Sequence, residues 1–490
     1  MTPTRHSSRY PLTLPALAIG LAAGAATALV TLSLLIGFAV FTFFALVGGT
    51  WRRDEAPVVP FILASQWLVV TVGYFYRLVT GVFPSLYPPG NVERTIVLSL
   101  SGLLVLAAGM RIARWAPAKT EGMESDEVEV GNLTGLFWLV MIVYGVDYVH
   151  VINTKVFSSI DVILARLLDF RQVLLLVLWF EVVRRRTHLS YLWITLAWVF
   201  VPLLGSYFSD FKLPLFLLLI VYMSFWTPWQ GQWWHVSLRQ VLRTTAVVVL
   251  LMFLALIWQA GVKKQTRLAY DTDIVGNDPI DRVTLFVESA ATSLPIILDD
   301  TDIVVEGLIE RISYITFFSR VLDHVPHVQP HTNGELLNMA VTNTVMPRFA
   351  FPDKPALPSD SVYTRRFTGI WVPEQGTSIS IGYMAEFYVD WGERGMMFMI
   401  FLYGCWIGLA ARVLSRWVRP RILVDPAIIV ALMAVSQFEH QFIKTFAALN
   451  LAVIVTVGIT VILRAPLTRF LHFTPLRDTA PEFAPEASTR

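Results

Sequence analysis

Charged side chains and cysteine are both scarce in this chain of 490 residues. Asp, Glu, Lys and Arg make up 15% of it, whereas an average soluble domain carries roughly 25%. This shortage of charge excludes a soluble enzyme or a nucleic-acid-binding protein as a description of the whole chain. The only cysteine is Cys405, so no disulfide can form within the chain, and a disulfide-stabilised scaffold is excluded as well.

Hydrophobic residues make up 55% of the chain, and they are gathered in long blocks. Several blocks exceed the roughly 18 residues that mark a bilayer-spanning helix. The sequence therefore predicts an all-α polytopic membrane protein with about 12 transmembrane helices. The first apolar block is too long for one span at ~1.5 Å per residue, so we expect a tight helical hairpin there. The predicted spans are 12–31, 33–50, 57–79, 94–114, 133–152, 165–183, 189–208, 212–228, 244–261, 396–413, 426–444 and 447–463.

Basic residues cluster at alternate ends of these spans, and the positive-inside rule assigns that side to the cytoplasm. The N-terminal Arg5 and Arg9 fall on the same side. Because a second span follows at once, we interpret the first span as an uncleaved anchor rather than a signal peptide. Both termini are therefore predicted to be cytoplasmic. The clusters are Arg52–Arg53, Arg111–Arg114–Lys119, Arg184–Arg185–Arg186, Arg239–Arg243, Arg412–Arg416–Arg419–Arg421 and Arg464–Arg469.

The predicted spans divide the chain into four parts. Residues 1–261 hold transmembrane helices 1 to 9, and residues 396–464 hold helices 10 to 12. Between them, residues 262–395 form one large extracytoplasmic loop, which contains 11 Lys and Arg and 18 Asp and Glu and is therefore typical of a soluble insert. Residues 465–490 form a cytoplasmic tail, and its composition predicts disorder.

The outer end of the span predicted at 426–444 is unusually polar. It carries Glu439 and His440, and positions 437, 440, 441 and 444 share one helical face. Ionisable side chains at the membrane edge are energetically costly, so they are candidates for function. The alternative is a helix end whose side chains extend into the headgroup region, a role that favours Lys and Arg over a Glu-His pair.

Further cations are predicted at the outer membrane surface, where each can bind an anionic substrate. The alternative is that they anchor helix ends among the lipid headgroups. They are Arg166 and Arg171 near the outer end of the sixth span, Lys212 in the short turn between the seventh and eighth spans, and Lys263, Lys264 and Arg267 at the start of the large loop.

The second half of the large loop holds cations in a rigid setting. Prolines in Met346-Pro-Arg-Phe-Ala-Phe-Pro-Asp-Lys-Pro355 stiffen the backbone around Arg348 and Lys354, and Arg365 and Arg366 follow. Such cations suit a pyrophosphate, which arginine can bind with two parallel hydrogen bonds. Glu386 begins the approach to the tenth span, where a carboxylate can act as a base or orient a sugar hydroxyl.

Two other clusters suggest metal sites, but we do not predict metal binding. Pro326 and Pro330 interrupt the segment that contains His324, His327 and His331, so helical ligand spacing is lost. No glycine-containing calcium loop follows the acidic run Asp299–Asp302. We interpret that run as the start of an amphipathic helix over 301–325.

Three segments carry a resemblance to a known family. They are Gly334-Glu-Leu-Leu leading to Met346-Pro-Arg-Phe and Pro352-Asp-Lys-Pro, the stretch from Thr377-Ser-Ile-Ser through Glu386-Phe-Tyr to Trp391-Gly-Glu-Arg-Gly395, and the span before them. With the order of elements, they resemble the Wzy-type O-antigen and exopolysaccharide repeat-unit polymerases over about residues 260–410. The family often has an arginine where this chain has Lys212.

The resemblance implies a membrane glycosyltransferase of the GT-C-related group in the bacterial inner membrane. Its substrates would be undecaprenyl-pyrophosphate-linked oligosaccharides, polymerised on the outer face of that membrane without a nucleotide, cofactor or metal. A flippase and a chain-length regulator are the implied protein partners, and nucleic acid is not. The expected catalytic residues are Glu386 and His440. The expected substrate-binding residues are Arg348, Lys354, Arg365, Arg366, Lys263, Lys264, Arg267, Lys212, Arg166, Arg171 and Glu439.

Other functions fit parts of the pattern. A lipid-linked glycan ligase shares the architecture and the donor but uses a different acceptor. A transporter or flippase for the same glycan should place polar groups near the bilayer midplane, often on broken helices. A purely structural assembly partner is a further alternative. Because the titratable groups gather at the outer edge beside a large loop, the sequence favours an enzyme.

Overall fold

The structure is a computed structural model. It describes residues 12–52, 55–85, 87, 89–115, 128–152, 169–200, 212–225, 301–346, 351, 357–372, 379–472 and 474–475, together with 238–239, 242, 245–246, 284–285, 287–292, 295 and 299. The span predicted at 244–261 lies outside these residues, apart from positions 245 and 246.

The described chain is helical, apart from one antiparallel pair of two-residue strands, β1 (Val128–Glu129) and β2 (Thr474–Pro475). The helices, in chain order, are α1 (Thr13–Thr31), α2 (Leu34–Thr50), α3 (Val58–Thr80), α4 (Val92–Trp115), α5 (Leu133–Ile152), α6 (Phe170–Arg185), α7 (Leu189–Phe200), α8 (Lys212–Ser224), α9 (Thr301–Ile312), α10 (Ile315–His324), α11 (Glu335–Val345), α12 (Asp360–Thr368), α13 (Tyr383–Trp417), α14 (Val424–Met433), α15 (Phe442–Ile462) and α16 (Arg464–Leu471).

Five of the described helices are long and apolar enough to cross a membrane: α1, α3, α4, α13 and α15. Shorter apolar helices include α2, α7 and α8. The prediction of a helical chain with several helices long and apolar enough to span a membrane is thus confirmed for the described residues. The count of 12 spans and the division into four parts stay predictions.

The first apolar block folds as the hairpin that its length predicts. α1 and α2 run antiparallel and are joined by Leu32 and Ser33. They approach so closely that a β-carbon on Gly37 would lie 2.6 Å from the carbonyl oxygen of Gly24. Glycines permit this contact, because membrane helices associate through close packing rather than through exclusion of water.

α4 and α13 also pack closely through glycines. Gly109 and Gly404 face each other, and a β-carbon on Gly408 would lie 2.5 Å from the carbonyl oxygen of Met110. Residue numbers rise together along the contact, from Gly102 against Ile400 to Met110 against Gly408, so the two helices are parallel. Parallel packing agrees with the predicted topology, in which both helices run from the outer face to the cytoplasm.

Arginines of one predicted cytoplasmic cluster are paired. The buried carboxylate of Glu181 forms ion pairs with Arg184 at 2.7 Å and with Arg185 at 2.6 Å. Arg185 also donates to the carbonyl oxygen of Val130, next to β1. In the tail, α16 is helical and buries Leu471, and β2 pairs with β1, while residues 476–490 lie outside the described residues.

Two predicted helix boundaries are wrong. The helix predicted over 426–444 ends at Met433, and residues 434–441 are not regular helix. The helix predicted over 301–325 is interrupted between α9 and α10, where Ser380 donates its backbone N–H to the hydroxyl of Tyr314 at 2.8 Å. α13 bears Glu386 in its first turn, before the span predicted at 396–413, and it is broken at Gly392, where φ is 68° and ψ is −168°.

Candidate active site

A cavity of about 630 Å³ opens between α6, α8, α11, α14 and α15. Its lining is polar at one end, where residues of the 434–441 segment meet the first turns of α8 and α15. Further along α14 and α15 it is mainly apolar, and Asp169 at the start of α6 lines the same part as Val430, Ala448 and Leu451. The polar lining comprises Asp169, Gln172, Lys212, Asn343, Thr344, Ser436, Gln437, His440 and Lys444. The apolar lining comprises Leu213, Phe216, Leu357, Val430, Met433, Ala434, Ile443, Ala447, Ala448, Leu451 and Ala452. We call the polar end the mouth.

Side chains from distant parts of the chain hold the non-helical 434–441 segment. Buried Gln66 donates its side-chain amide to the carbonyl oxygen of Val435 at 2.9 Å, while its own oxygen accepts from the hydroxyl of Tyr383 at 2.8 Å. The hydroxyl of Ser380 donates to the carbonyl oxygen of Glu439 at 2.7 Å. Backbone groups that leave a helix need such partners, because they lose the hydrogen bonds that the helix supplied. The segment that carries His440 is therefore fixed on both sides.

Two carboxylates on the first turns of α13 cap other helices. Buried Glu386 accepts a hydrogen bond from the backbone N–H of Phe442, the first residue of α15, at 2.7 Å. One turn later, buried Asp390 accepts from the backbone N–H groups of Leu336 and Leu337 in the first turn of α11, at 3.1 and 2.9 Å. Carboxylates stabilise helix N-termini because the N–H groups there have no partner within the helix and the dipole is positive. Residues 386 and 390 thus tie α13 to α15 and α11, both of which line the cavity.

Two ion pairs reach the mouth. The Nζ atom of Lys444 lies 2.5 Å from Oδ2 of Asp360, and the Nζ atom of Lys212 lies 3.9 Å from Oε1 of Glu439. Asp360 is buried, with 8% of its side chain exposed, whereas about half of each lysine side chain is exposed, at 48% for Lys444 and 51% for Lys212. The lysines therefore present charge to the cavity.

His440 lies close enough to both ion pairs for their charges to affect its pKa. Burial lowers the pKa of its imidazole, and the nearby ammonium groups of Lys212 and Lys444 lower it further, while Glu439 and Asp360 act in the opposite direction. His440 lies outside the five long apolar helices and lines the cavity. With a pKa below its ordinary value of about 6.5, the imidazole is neutral at neutral pH and can accept a proton.

The structure brings together some of the catalytic and substrate-binding residues that the sequence predicts. Lys212 and His440 line the cavity, Glu439 adjoins it, and Glu386 holds the start of α15. Glu386 is not among the described residues that line the cavity. Its catalytic role therefore stays a prediction.

The remaining described cations are engaged elsewhere. Arg366 forms a two-pronged contact with Glu335, at 2.7 and 3.1 Å, and its guanidinium lies 4.8 Å from the ring centre of Phe367. Arg365 lies beside it in the last turn of α12. The guanidinium of Arg171 lies 5.2 Å from the ring centre of Tyr144. Arg166, Lys263, Lys264, Arg267, Arg348 and Lys354 lie outside the described residues.

Sequence reasoning missed Asp360 and did not assign Lys444 to the site. The sequence did place Lys444 on one predicted helical face with positions 437 and 440. That prediction assumed a continuous helix, whereas the segment before α15 is not helical. Asp360 carries no local signal, because its partner lies 84 residues further along the chain. The same holds for Asn343 of α11, which reaches the cavity through tertiary packing.

The histidines of the large loop have separate partners. His331 contacts the backbone carbonyl of Val389 at 3.2 Å, and its ring packs edge-on against Tyr388. His324 lies against Gly369, and burial and the charge of Arg320 lower its pKa. Within the described part of the chain, no three His, Cys, Asp or Glu side chains form a group that could hold a metal ion.

Comparison with known proteins gives a family but no activity. Residues 121–416, more than half of the chain, match the model of a family described as a domain of unknown function, DUF8712. The match covers α5 to α12 and almost all of α13. No curated protein and no solved structure matches the chain. On the extent of the family match, the chain belongs to the DUF8712 family.

Proposed function

We propose that this protein polymerises undecaprenyl-pyrophosphate-linked oligosaccharide repeat units into O-antigen or exopolysaccharide. The reaction would take place on the outer face of the bacterial inner membrane. The observation that carries the proposal is the cavity, in which a histidine and two lysines form a polar mouth above an apolar wall. A lipid-linked glycan has the matching division into an apolar chain, an anionic pyrophosphate and a polar sugar.

In the proposed reaction, a hydroxyl of one lipid-linked repeat unit attacks the anomeric carbon of a second. The new glycosidic bond forms as the bond between that carbon and the pyrophosphate oxygen breaks. The pyrophosphate leaves on its lipid, and neutral His440 accepts the hydroxyl proton. Lys212 and Lys444 stabilise the negative charge that develops on the leaving group.

The proposal includes Arg348 and Lys354 because residues on both sides of them in the sequence line the cavity. Thr344 and Leu357, which precede and follow the segment that contains both cations, line the cavity. Arginine at position 348 would bind the pyrophosphate by two parallel hydrogen bonds. In place of the catalytic role predicted from the sequence, the proposal gives Glu386 a positioning role, because its carboxylate accepts the N–H of the first residue of α15, two residues before Lys444.

The membrane arrangement is part of the proposal. It has 12 spans in a GT-C-related architecture, both termini in the cytoplasm, and residues 262–395 outside. The parallel contact of α4 and α13 supports it, because both helices would then enter from the outer face. The ion pair from Asp360 to Lys444 supports it as well, since it places α12 of the large loop at the start of α15, opposite the predicted cytoplasmic end. A flippase and a chain-length regulator would be the protein partners.

One observation favours a second candidate, a transporter or flippase for the same lipid-linked glycan. The 434–441 segment interrupts a predicted span, and transporters commonly bind their substrates at interrupted helices. The polymerase remains the better proposal, because the interruption carries an acid-base group flanked by cations at one end of the cavity. A third candidate, the ligase, differs from the polymerase only in its acceptor.

The surface glycan of a deletion strain distinguishes the polymerase, the ligase and the flippase. The strain should be complemented with the wild-type gene or the His440→Ala variant, and its surface glycan resolved on a gel. A polymerase defect leaves single-repeat glycan on the surface, a ligase defect leaves none on the final acceptor, and a flippase defect leaves lipid-linked units facing the cytoplasm. We expect single-repeat glycan from both the deletion strain and the His440→Ala strain. Long glycan in the deletion strain would refute the proposal.

A further inference from the structure

We propose that Lys444 binds the phosphate oxygens of the lipid-linked donor directly, and that Asp360 is its positioning residue. This inference rests on the proposed function, because the donor's pyrophosphate is the anion in question. It adds to the roles proposed for Lys212 and Arg348 a direct contact from Lys444, and it gives the buried carboxylate 2.5 Å from that lysine a role in binding.

The position of Lys444 is unfavourable for the stability of α15 itself. It lies in the first turn of that helix, where the positive end of the helix dipole opposes a cation. Glu386 caps this helix end, because its carboxylate accepts the N–H of Phe442. A lysine added at such an end is therefore explained better by what it faces, which is the cavity.

Asp360 fixes the direction of this lysine. The carboxylate lies in the first turn of α12, where an acidic side chain suits the helix dipole, and 8% of it is exposed. A lysine ammonium has three N–H donors, and Asp360 accepts from one of them. The remaining donors belong to a side chain that is 48% exposed at the mouth. Asp360 thus removes rotamer freedom from the lysine without covering its charge.

The wall that follows Lys444 along α15 is mainly apolar, with Asp169 at the start of α6 beside it, and can hold the apolar chain of the same ligand. Ala447, Ala448, Leu451 and Ala452 follow it along one face of α15 and line the cavity. From position 444 to 452 the helix rises about 12 Å. A ligand with phosphate at Lys444 would therefore lay its first isoprenoid units along small side chains.

The test compares two probes with the same chain and different heads, geranylgeranyl diphosphate and geranylgeraniol. Binding of each is measured to the purified full-length protein in detergent. Lys444→Gln should weaken diphosphate binding about tenfold or more, the usual effect of losing a charge-assisted hydrogen bond, and leave geranylgeraniol binding unchanged. Lys444→Arg should retain diphosphate binding. The matched control is Arg94→Gln, which removes the ion pair with Glu393 of the large loop, and neither of these residues lines the cavity.

Asp360 is tested through its dependence on Lys444. Asp360→Asn should weaken diphosphate binding, and Asp360→Glu should restore part of it. In the Lys444→Gln background, Asp360→Asn should add nothing further, because a positioning residue acts only through its partner. This double variant also guards against misfolding, since it leaves no unpaired buried carboxylate at position 360. An equal additional loss in that background would overturn the positioning role.

The remaining outcomes separate this inference from the proposed function. The inference would be overturned if Lys444→Gln bound the diphosphate normally, or if it bound both probes more weakly to the same extent. Either result would stand against the inference even if the protein were shown to polymerise the glycan. Diphosphate binding that depends on Lys444, in a protein whose deletion leaves glycan length unchanged, would support the anion site and refute the polymerase. Failure of the wild-type protein to bind the diphosphate would overturn the inference.

Discussion

The carboxylate of Glu386 accepts the backbone N–H of Phe442 at 2.7 Å, across 56 residues of sequence. This single hydrogen bond joins the start of α13 to the start of α15, the helix that presents Lys444 to the cavity. Glu386 is buried, so its carboxylate is a fixed acceptor rather than a mobile surface group. The bond makes Glu386 a helix-capping residue of the site.

Glutamine at position 386 should preserve most of the activity. Its side-chain oxygen can still accept the N–H of Phe442, whereas alanine leaves that donor without its partner. Loss of a helix cap costs about 1 kcal/mol, so Glu386→Ala should lower both thermal stability and activity. Thermal unfolding in detergent and polymerisation of purified lipid-linked repeat units measure the two effects. A well-folded Glu386→Gln variant without activity would instead make Glu386 a proton acceptor.

The positions of the apolar helices could be predicted because their signal is local. Membrane helices need an apolar stretch of sufficient length, and the α1–α2 hairpin and α3 follow their hydrophobic blocks to within one residue of the predicted ends. The fit at α4 is nearly as close, since Val92 lies two residues before the predicted start. Tertiary contact is not needed to place these helices.

The site could be predicted only in part, because its geometry depends on distant partners. Composition over 426–444 is apolar enough for a continuous helix, and the break after Met433 is held by Gln66 and Ser380. Neither residue is near the break in sequence. The polar residues at 439 and 440 could be identified because charge in an apolar block is conspicuous. Their pairing could not, since Lys212 reaches Glu439 from another helix.

The glycine contact between α4 and α13 should be intolerant of larger side chains. A β-carbon on Gly404 would collide with the carbonyl oxygen of Leu106, so Gly404→Leu must separate the two helices. We expect a loss of about 1–3 kcal/mol or failure to accumulate, as in other overpacked interiors. Gly458→Leu on α15 is the matched control, since a β-carbon there meets no described atom within 4 Å. Equal stability of the two variants in detergent would contradict the packing argument.

The predicted topology can be tested with single cysteines in a Cys405→Ser background. Ser359 precedes α12 and is exposed, and Thr187 follows α6 beside the arginine cluster and is also exposed. In intact cells, an impermeant thiol reagent should label Ser359→Cys and should leave Thr187→Cys unlabelled until the membrane is permeabilised. Permeabilisation provides the control that the second cysteine is reactive. Labelling of position 187 from outside would reverse the orientation.

The pH dependence of the reaction should report on His440. If its neutral imidazole accepts the hydroxyl proton, activity is complete above the pKa of His440 and falls as the pH drops through it. Burial and the two lysines lower that pKa, so the midpoint of the acid limb, the fall in activity at low pH, should lie below the ordinary histidine pKa of about 6.5. Removing a cation should reverse part of this lowering. Lys212→Gln should therefore move the midpoint of the limb to higher pH, whatever it does to the maximal rate.

The measurement is the rate of polymerisation by purified protein across pH 5–8 with lipid-linked repeat units. Arg94→Gln again serves as the control, because it removes a cation whose partner is Glu393 and should leave the midpoint unchanged. His440→Ala should abolish activity at every pH while the protein remains folded. An acid limb that persists in a partly active His440→Ala variant, with the midpoint of the wild type, would assign the titration to another group. Glu439 would then be the next residue to test, because it is the acidic neighbour of His440.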